Sequence, residues 1–317
     1  MIVALAGGVG GAKLAYGLDA ASPNELLTVV VNTADDFLWH GLKVCPDLDT
    51  IMYTLGGWAN TATGWGVADD NHTALSMLAT YGQDPWFTIG DRDLATHVLR
   101  TDILRRGGTL TEATAVLARA LGVRPHLLPM TDDVVETLIE TPDGDLEFQE
   151  YFVRRRHEPL VTGVRFRGIE SARPAREVVA ALEAADLIVL CPSNPIVSIG
   201  PILATPGMRD ALAAARAPVV AVSPIVGGRA LRGPADHMLD SLGHESSALG
   251  VARLYAGVIK GMVIDERDVS LAPEIEALDI RVLATQSVMH DDADRRALAR
   301  ATVEFGYTLR RMQASPA

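Results

Sequence analysis

Several features that would classify this chain quickly are missing from it. It has only two cysteines, Cys45 and Cys191, far apart among 317 residues. That excludes a disulfide framework, and neither cysteine sits in a Cys-x-x-Cys pair, which excludes a zinc ribbon or dithiol redox motif. With no signal peptide in view, a reducing cytoplasm is the expected compartment. No apolar run approaches 18 residues, so no spanning helix is expected. Positive charge is in deficit: 28 Lys and Arg stand against 40 Asp and Glu, a net charge of −12. This balance argues against nucleic-acid scanning and against anionic membranes. It leaves room for a small anionic substrate, because a local glycine and arginine site can oppose the global field. There is no Gly-x-Ser-x-Gly elbow, no Pro/Ser-rich linker, no tandem repeat and no low-complexity tract.

Glycine, by contrast, is concentrated at one place. Residues 2–5 form an apolar run, Gly7, Gly8, Gly10 and Gly11 follow at once, and Ala12, Lys13, Leu14 and Ala15 favour helix. A buried strand, a glycine turn and a helix N-terminus in that order make an anion site. The backbone can approach phosphate oxygens, the first helical N–H groups point outward, and the helix dipole favours negative charge. Lys13 adds a point charge. The spacing is not that of a Walker A loop. It also departs from the dinucleotide fingerprint, whose third glycine, counted from Gly8, would fall at Lys13. A glycine turn that merely closes a strand-to-helix connection is the alternative reading.

The rest of the chain alternates strand-like and helix-like stretches. Strands are expected at 26–32, 187–190, 219–222, 262–264 and 280–283, and helices at 176–184, 208–215, 247–258 and 293–312. The pattern predicts an α/β fold: a doubly wound, mostly parallel sheet in a single domain spanning residues 1–317. Residues 40–170 read differently, as an inserted α+β region that caps the sheet. Its expected helices are 70–80, 91–105 and 110–121, and its expected strands are 127–130, 134–140, 146–154 and 164–167. The tail 313–317 is expected to fray. In such sheets ligands sit beyond the carboxyl ends of the strands. The polar turns 7–13, 32–36, 192–200 and 223–234 should therefore meet at one crevice.

Four carboxylates, Asp35, Asp36, Asp47 and Asp49, fall within fifteen residues close to the glycine turn. Clustered carboxylates beside a phosphate site suit Mg²⁺, which takes oxygen ligands and bridges to phosphates. Asp35 and Asp49 are the preferred ligands, although Asp47 or Asp49 can instead cap the helix that follows. Asp91 can cap a helix on which Asp93, His97 and Arg100 share one face by their i, i+4, i+7 spacing. That face either pairs with itself or looks into the crevice to hold a polyol and a phosphate. Ser193 and Asn194, between two prolines, either hydrogen-bond a base or ribose or form a plain stiff turn. Gly227, Gly228, Arg229 and Arg232 read as a second anion clamp, with solvated arginines as the alternative.

Taken in order, residues 5–13, Asn32-Thr-Ala-Asp-Asp36, His40-Gly41, Cys45-Pro-Asp-Leu-Asp-Thr50, Gly90-Asp-Arg-Asp-Leu-Ala-Thr-His97, Pro192-Ser-Asn-Pro-Ile-Val-Ser-Ile-Gly-Pro-Ile202 and Ser223-Pro-Ile-Val-Gly-Gly-Arg229 resemble the 2-phospho-L-lactate transferase family of coenzyme F-420 biosynthesis. The resemblance implies a Rossmann-like core, Mg²⁺, and commonly a homodimer. It implies a guanosine diphosphate-linked three-carbon acid as donor. The acceptor would be the terminal ribityl hydroxyl of 7,8-didemethyl-8-hydroxy-5-deazariboflavin, and GMP would leave. Asp35, Asp49 and His97 are the expected catalytic residues: the two aspartates would hold Mg²⁺, directly or through water, and one of them, or His97, would orient the ribityl hydroxyl, with no residue singled out as a base. Gly7, Gly8, Gly10, Gly11, Lys13, Asn32, Asp36, Asp91, Arg100, Ser193, Asn194, Gly227, Gly228, Arg229 and Arg232 would line the substrates. Aromatic residues of the insertion, Trp86 among them, would stack on the deazaflavin. No residue selects lactate, enolpyruvate or glycerate as the acid. The glycine turn taken alone also fits an NAD(P)-dependent oxidoreductase, with Asp35 on the ribose, or a non-catalytic nucleotide-binding regulator.

Overall fold

A computed structural model describes residues 1–314. Seven parallel strands form its central sheet: β1 (Ile2–Ala6), β2 (Leu27–Val31), β3 (His126–Pro129), β4 (Leu187–Leu190), β5 (Val219–Val222), β6 (Gly261–Asp265) and β7 (Arg281–Thr285). Their order across the sheet is β7-β6-β5-β4-β1-β2-β3. Sequences such as Ile-Val-Ala-Leu-Ala in β1 and Leu-Ile-Val-Leu in β4 are buried throughout. Helices cover both faces of the sheet, so such strands read as apolar runs and not as alternation. The two faces still separate by the two-residue period. Val3, Leu5, Val30, Ile188 and Leu190 join one core, while Ile2, Ala4, Val29, Val31 and Val189 join the other. β1 pairs with both β2 and β4, so the strand order reverses beside it. Loops leaving β1 and β4 therefore diverge and open a crevice at that point.

Five helices matter for the site: α1 (Gly8–Ala21), α2 (Pro46–Gly56), α3 (Asp91–Arg105), α4 (Leu110–Ala120) and α5 (Asp292–Ala314). α1 lies against α2 and α5. Gly17 makes the close approach to α5 possible, since a Cβ there would meet the Arg295 backbone. The start of α4 is fixed by a capping box in which Thr109 and Glu112 each bond the other's backbone N–H. No helix among the described residues is long and apolar enough to cross a membrane.

The span 40–170 is not wholly a cap, because its strand β3 completes one edge of the central sheet. The cap proper holds α2, α3, α4, a helix over Thr73–Thr80, and a small antiparallel sheet of Glu136–Thr141 flanked by Gly144–Glu147 and Gly163–Arg167. The strand expected over 146–154 stops at Glu147, and Glu150–Arg154 forms a π-helical turn. Phe148, Tyr151 and Phe152 recur at three and four residues, which is a helical period. They pack together against Ile139, Val197 and Met238. The helix expected from residue 70 begins at Thr73, because Asp70 is engaged elsewhere, as shown below. Of the tail expected to fray, Gln313 and Ala314 are helical, and residues 315–317 lie outside the described residues.

Candidate active site

A cavity of about 740 Å³ opens at the carboxyl ends of the central strands. All four polar turns reach it, through Gly7, Gly8, Gly10 and Lys13, through Asp35, through Ser193 and Asn194, and through Ser223 and Arg232. The first turn of α2, the cap and residues 287–290 supply the remaining walls.

The glycine turn is shaped for close approach. Gly7 is extended, and Gly8 enters α1 with φ +61°, a left-handed value that favours glycine. A Cβ on Gly10 would collide with the Pro192 carbonyl, and one on Gly11 would lie 2.6 Å from Ser193 Oγ. α1 therefore sits against the turn after β4 only because these two positions are glycine. Gly10→Ala should destabilise the fold by about 1–3 kcal/mol through this overlap, read as a lowered denaturation midpoint at unchanged slope. An unshifted midpoint would show that the turn can yield. Ser193 locks the same turn: its Oγ accepts from Gly7 N at 3.0 Å and donates to Gly7 O at 2.7 Å. Lys13 Nζ donates to Met289 O at 2.9 Å. Burial, then the charges of Arg295 and Arg232, hold the Lys13 amine below its usual range.

The carboxylates fall into two groups. In the first, Asn32 Nδ2 lies 3.0 Å from both Asp35 Oδ2 and Asp47 Oδ2, and 3.2 Å from Val197 O. Asp35 is buried, and its Oδ1 has no hydrogen-bond partner among the described residues. Burial, reinforced by Asp47, raises its carboxyl well above the ordinary range. Burial likewise pushes Asp47 up to about 6, partly offset by bonds from Asn32 and Gly8 N. Two acids thus share one amide beside the glycine turn, without a cationic side chain between them. Asp36 points away from the main cavity and pairs with Lys43 Nζ at 3.2 Å.

The second group joins α2 to α3. Asp49 takes a two-pronged contact from Arg100, Oδ2 to Nη1 at 3.1 Å and Oδ1 to Nη2. His97 Nδ1 lies 3.3 Å from Arg100 Nη1 and 3.7 Å from Asp49 Oδ2, and Nε2 lies 3.3 Å from Asp93 Oδ1. The Tyr53 hydroxyl donates to Asp93 Oδ1 at 2.7 Å. Burial alone would lower the Arg100 pKa, but Asp49 outweighs it and holds the guanidinium above its usual value. The predicted face of α3 therefore pairs largely with itself and with α2. Asp49, Asp93 and His97 bring ligand atoms within 4.8 Å of one another. The guanidinium of Arg100 already pairs with Asp49 of that cluster, which disfavours a metal cation there. The carboxylate that shares an amide with Asp35 is Asp47, not the expected Asp49.

Other expectations meet a different geometry. Asp91 is the first residue of α3 and does not cap it. Asp70 does so, accepting from Arg92 N at 2.8 Å and Asp93 N at 3.0 Å. Asp91 instead accepts from Ala74 N at 3.0 Å and holds the neighbouring helix. Asn194 Oδ1 accepts from Ile196 N at 2.9 Å, so this end of the side chain shapes its own turn. Gly227 and Gly228, with φ +58° and +76°, form the tip of a two-residue hairpin between Ile225–Val226 and Arg229–Ala230. This is a turn that needs positive φ at both positions. It carries Gly227, Gly228 and Arg229 away from the cavity, and Arg229 is exposed, 3.9 Å from Asp236. Arg232 alone of that group reaches the cavity. Trp86 packs on Phe37 and Phe87 outside it. The aromatic wall is Phe148 and Phe152, stacked at 5.5 Å with their planes 7° apart.

A profile described as 2-phospho-L-lactate transferase CofD matches residues 2–305. A phosphoenolpyruvate transferase of Streptomyces griseus is 46% identical over 316 residues, covering 98% of this chain and 99% of its own. A 2-phospho-L-lactate transferase of Methanosarcina acetivorans is 39% identical, covering 95% and 98%. The chain belongs to the CofD family. It is a transferase, and its α/β fold is that of a solved UPF0052 family protein from Bacillus halodurans, with TM-score 0.62, 16% identity, and 95% and 98% of the two chains covered.

Sequence reasoning about this CofD family member passed over several cavity residues. Asp47 stands among the four clustered carboxylates in the sequence, but nothing local prefers it to Asp49 as the partner of Asp35. Phe148 and Phe152 were hidden in an expected strand, where their helical spacing was the available signal. Gln149, Ser198 and the segment 287–290 also line the cavity. Ser198 belongs to the polar turn after β4, whereas no local motif marks Gln149 or residues 287–290, which the packing of the cap and of α5 brings there.

Proposed function

We propose that this chain transfers a phospho-three-carbon-acid group from a guanosine diphosphate-linked donor to the terminal ribityl hydroxyl of 7,8-didemethyl-8-hydroxy-5-deazariboflavin, with Mg²⁺, in the cytoplasm. The acid is taken as enolpyruvate, since relatives at 43–46% identity carry the phosphoenolpyruvate transferase name. One observation carries the reading: a glycine turn at a helix N-terminus, a pair of carboxylates without a cationic partner and a stacked aromatic pair share one cavity.

The acceptor oxygen forms a bond to the acid-bearing phosphorus. The bond from that phosphorus to the bridging oxygen breaks, GMP leaves with the electron pair, and the hydroxyl proton is released. Such a transfer depends on in-line positioning and charge neutralisation more than on covalent chemistry. The amides at Gly7–Gly11, with Lys13, would receive the diphosphate and stabilise charge on the departing GMP. Phe148 and Phe152 would hold the flat deazaflavin. The Asp49–Arg100–His97–Asp93 cluster would hold α2 in place and so aim Asp47.

Asp35 and Asp47 fit a hard divalent cation. Both are oxygen donors, both resist ionisation where they stand, and Asp35 Oδ1 is buried without a partner. Bound Mg²⁺ would supply positive charge to the diphosphate. A pH signature follows. Burial raises the Asp47 carboxyl from the ordinary carboxylate range to about 6, so its contribution to stability is present at low pH and is lost as pH rises through about 6. Mg²⁺ needs the ionised form. It should therefore raise Tm clearly at about pH 7.5 and little at about pH 5, measured by thermal unfolding with and without chelator. An equal shift at both pH values would remove Asp47 from the ligand set.

Mass spectrometry of the product formed with each of the three acid donors tests the reaction and the acid together. Stabilisation by NAD⁺, with none from GDP plus Mg²⁺, would overturn the reading in favour of an oxidoreductase. Nucleotide binding with no GMP release, when donor and deazaflavin are both present, would leave a regulator. Size-exclusion chromatography with light scattering tests the homodimer that the family resemblance implies.

A further inference from the structure

The loop joining α2 to the helix over Thr73–Thr80 forms a short finger at the cavity mouth. Ala59 and Val67 make a β-bridge at its base. Asn60 N donates to Gly66 O at 3.0 Å, and Gly64 N donates to Asn60 O at 2.8 Å. Trp65 and Gly66 line the cavity from this side. The segment 230–234 lines the same cavity. Arg232 crosses between them: its Nη2 donates to Thr63 O. Gly64 lies so close to that guanidinium that a Cβ there would overlap it, and the same Cβ would lie 3.3 Å from Val9 of the glycine turn. Among the described residues, this is the only hydrogen bond from the finger tip, residues 60–66, to the rest of the protein.

The chemistry of the contact is unusual. Arg232 has no carboxylate within ion-pair distance among the described residues, and its anchoring partner is a neutral carbonyl. A guanidinium carries five N–H donors, so one bond to Thr63 leaves others free for a second acceptor. Arg232 also lies close enough to Lys13 for the two charges to oppose each other, and Arg295 adds to that repulsion. An anion on the glycine turn relieves the repulsion and offers the free N–H groups of Arg232 an ionised acceptor, which a guanidinium can grip with two parallel bonds.

We propose that Arg232 is a strap that couples diphosphate binding to closure of the 58–68 finger over the cavity. The free protein holds the finger tip, residues 60–66, by one hydrogen bond, from the Arg232 guanidinium to a neutral carbonyl. A diphosphate held by the glycine turn takes further N–H groups of Arg232, fixes the guanidinium, and through Thr63 pins the finger tip across the entrance. Trp65 and Gly66 then shield the reacting phosphorus from water. This rests on the anion-binding part of the proposed function and not on the identity of the acid or the acceptor. Arg232 acts here as a positioning residue.

The test is amide hydrogen exchange across residues 58–68 in the full chain, with Mg²⁺ and either inorganic pyrophosphate or GDP, each at a concentration shown to saturate by calorimetry. In the wild type, exchange at the tip should slow by at least about tenfold on binding. In Arg232→Ala, saturated at its own weaker affinity, the slowing should fall below about twofold. Arg232→Lys keeps the charge but not the fork, and should recover binding more than protection. Unchanged melting temperatures would exclude misfolding of the variants. Equal protection in Arg232→Ala, or no protection in the wild type when the ligand is bound, would overturn the strap. If neither anion binds, the strap falls together with the anion site. If GDP binds and protects the finger but no GMP is released from donor and deazaflavin, the transfer reading fails and the strap stands.

Discussion

Asp35→Asn should lower turnover by at least about a hundredfold, a loss of roughly 2.7 kcal/mol of transition-state stabilisation, and should leave the protein as stable as before or more so. The two halves of this expectation come from one fact. Asp35 is buried, one of its oxygens has no partner, and Asp47 stands beside it. A buried carboxylate in that setting opposes folding when it ionises. The amide removes that cost and keeps the shape. What is lost is half of the oxygen pair that would hold Mg²⁺ against the diphosphate. Steady-state kinetics and urea denaturation of the variant, side by side, separate the effects. Near-normal turnover would remove Asp35 from the chemistry, and a large loss of stability would show that its carboxylate is structural.

Arg100→Met should do the reverse and cost about 3–5 kcal/mol of stability, the usual penalty for leaving one partner of a buried ion pair uncompensated. Arg100 is 1% exposed, and its guanidinium is the main counter-charge to Asp49. Without it, a carboxylate remains inside the α2–α3 interface with no guanidinium to compensate it. The double variant Asp49→Leu, Arg100→Met should recover most of the loss, because it removes both charges and keeps the volume. Denaturant midpoints of both variants check this. A cost below about 1 kcal/mol in the single variant would mean that water reaches the pair and that the cluster is not the rigid link between α2 and α3 assumed above. The contrast with Asp35 matters. The two aspartates lie in the same stretch of sequence, yet one is expected to govern activity and the other stability.

That contrast also marks the limit of what residue order conveys. Apolar runs such as Ile2–Ala6 and Leu187–Leu190 announced buried parallel strands, because a strand covered on both faces has no polar side to display. Four glycines after the first strand announced a close backbone approach, since no other residue permits it. The alternation of these elements was enough for the doubly wound sheet and for the crevice at its switch point. Roles that depend on partners distant in the chain were not legible. Asp47 and Asp49 are both acids in the first turn of α2, and nothing local separates them. Arg100, fifty-one residues further on, neutralises Asp49 and leaves Asp47 to Asn32 and Asp35. Likewise the sequence leaves Ser193 open between a ligand contact and a plain stiff turn, and the fold places Gly7 on both sides of its hydroxyl.

The sequence alone determined where the chain would bury its strands and where its backbone would make a glycine turn at the mouth of the crevice. Those outcomes follow from side-chain volume and hydrophobicity within a few residues. The tertiary structure decided which carboxylates remain without a counter-charge and which aromatic rings face the cavity. A charge is satisfied or left wanting only by what folds against it, and that partner is seldom a neighbour in sequence.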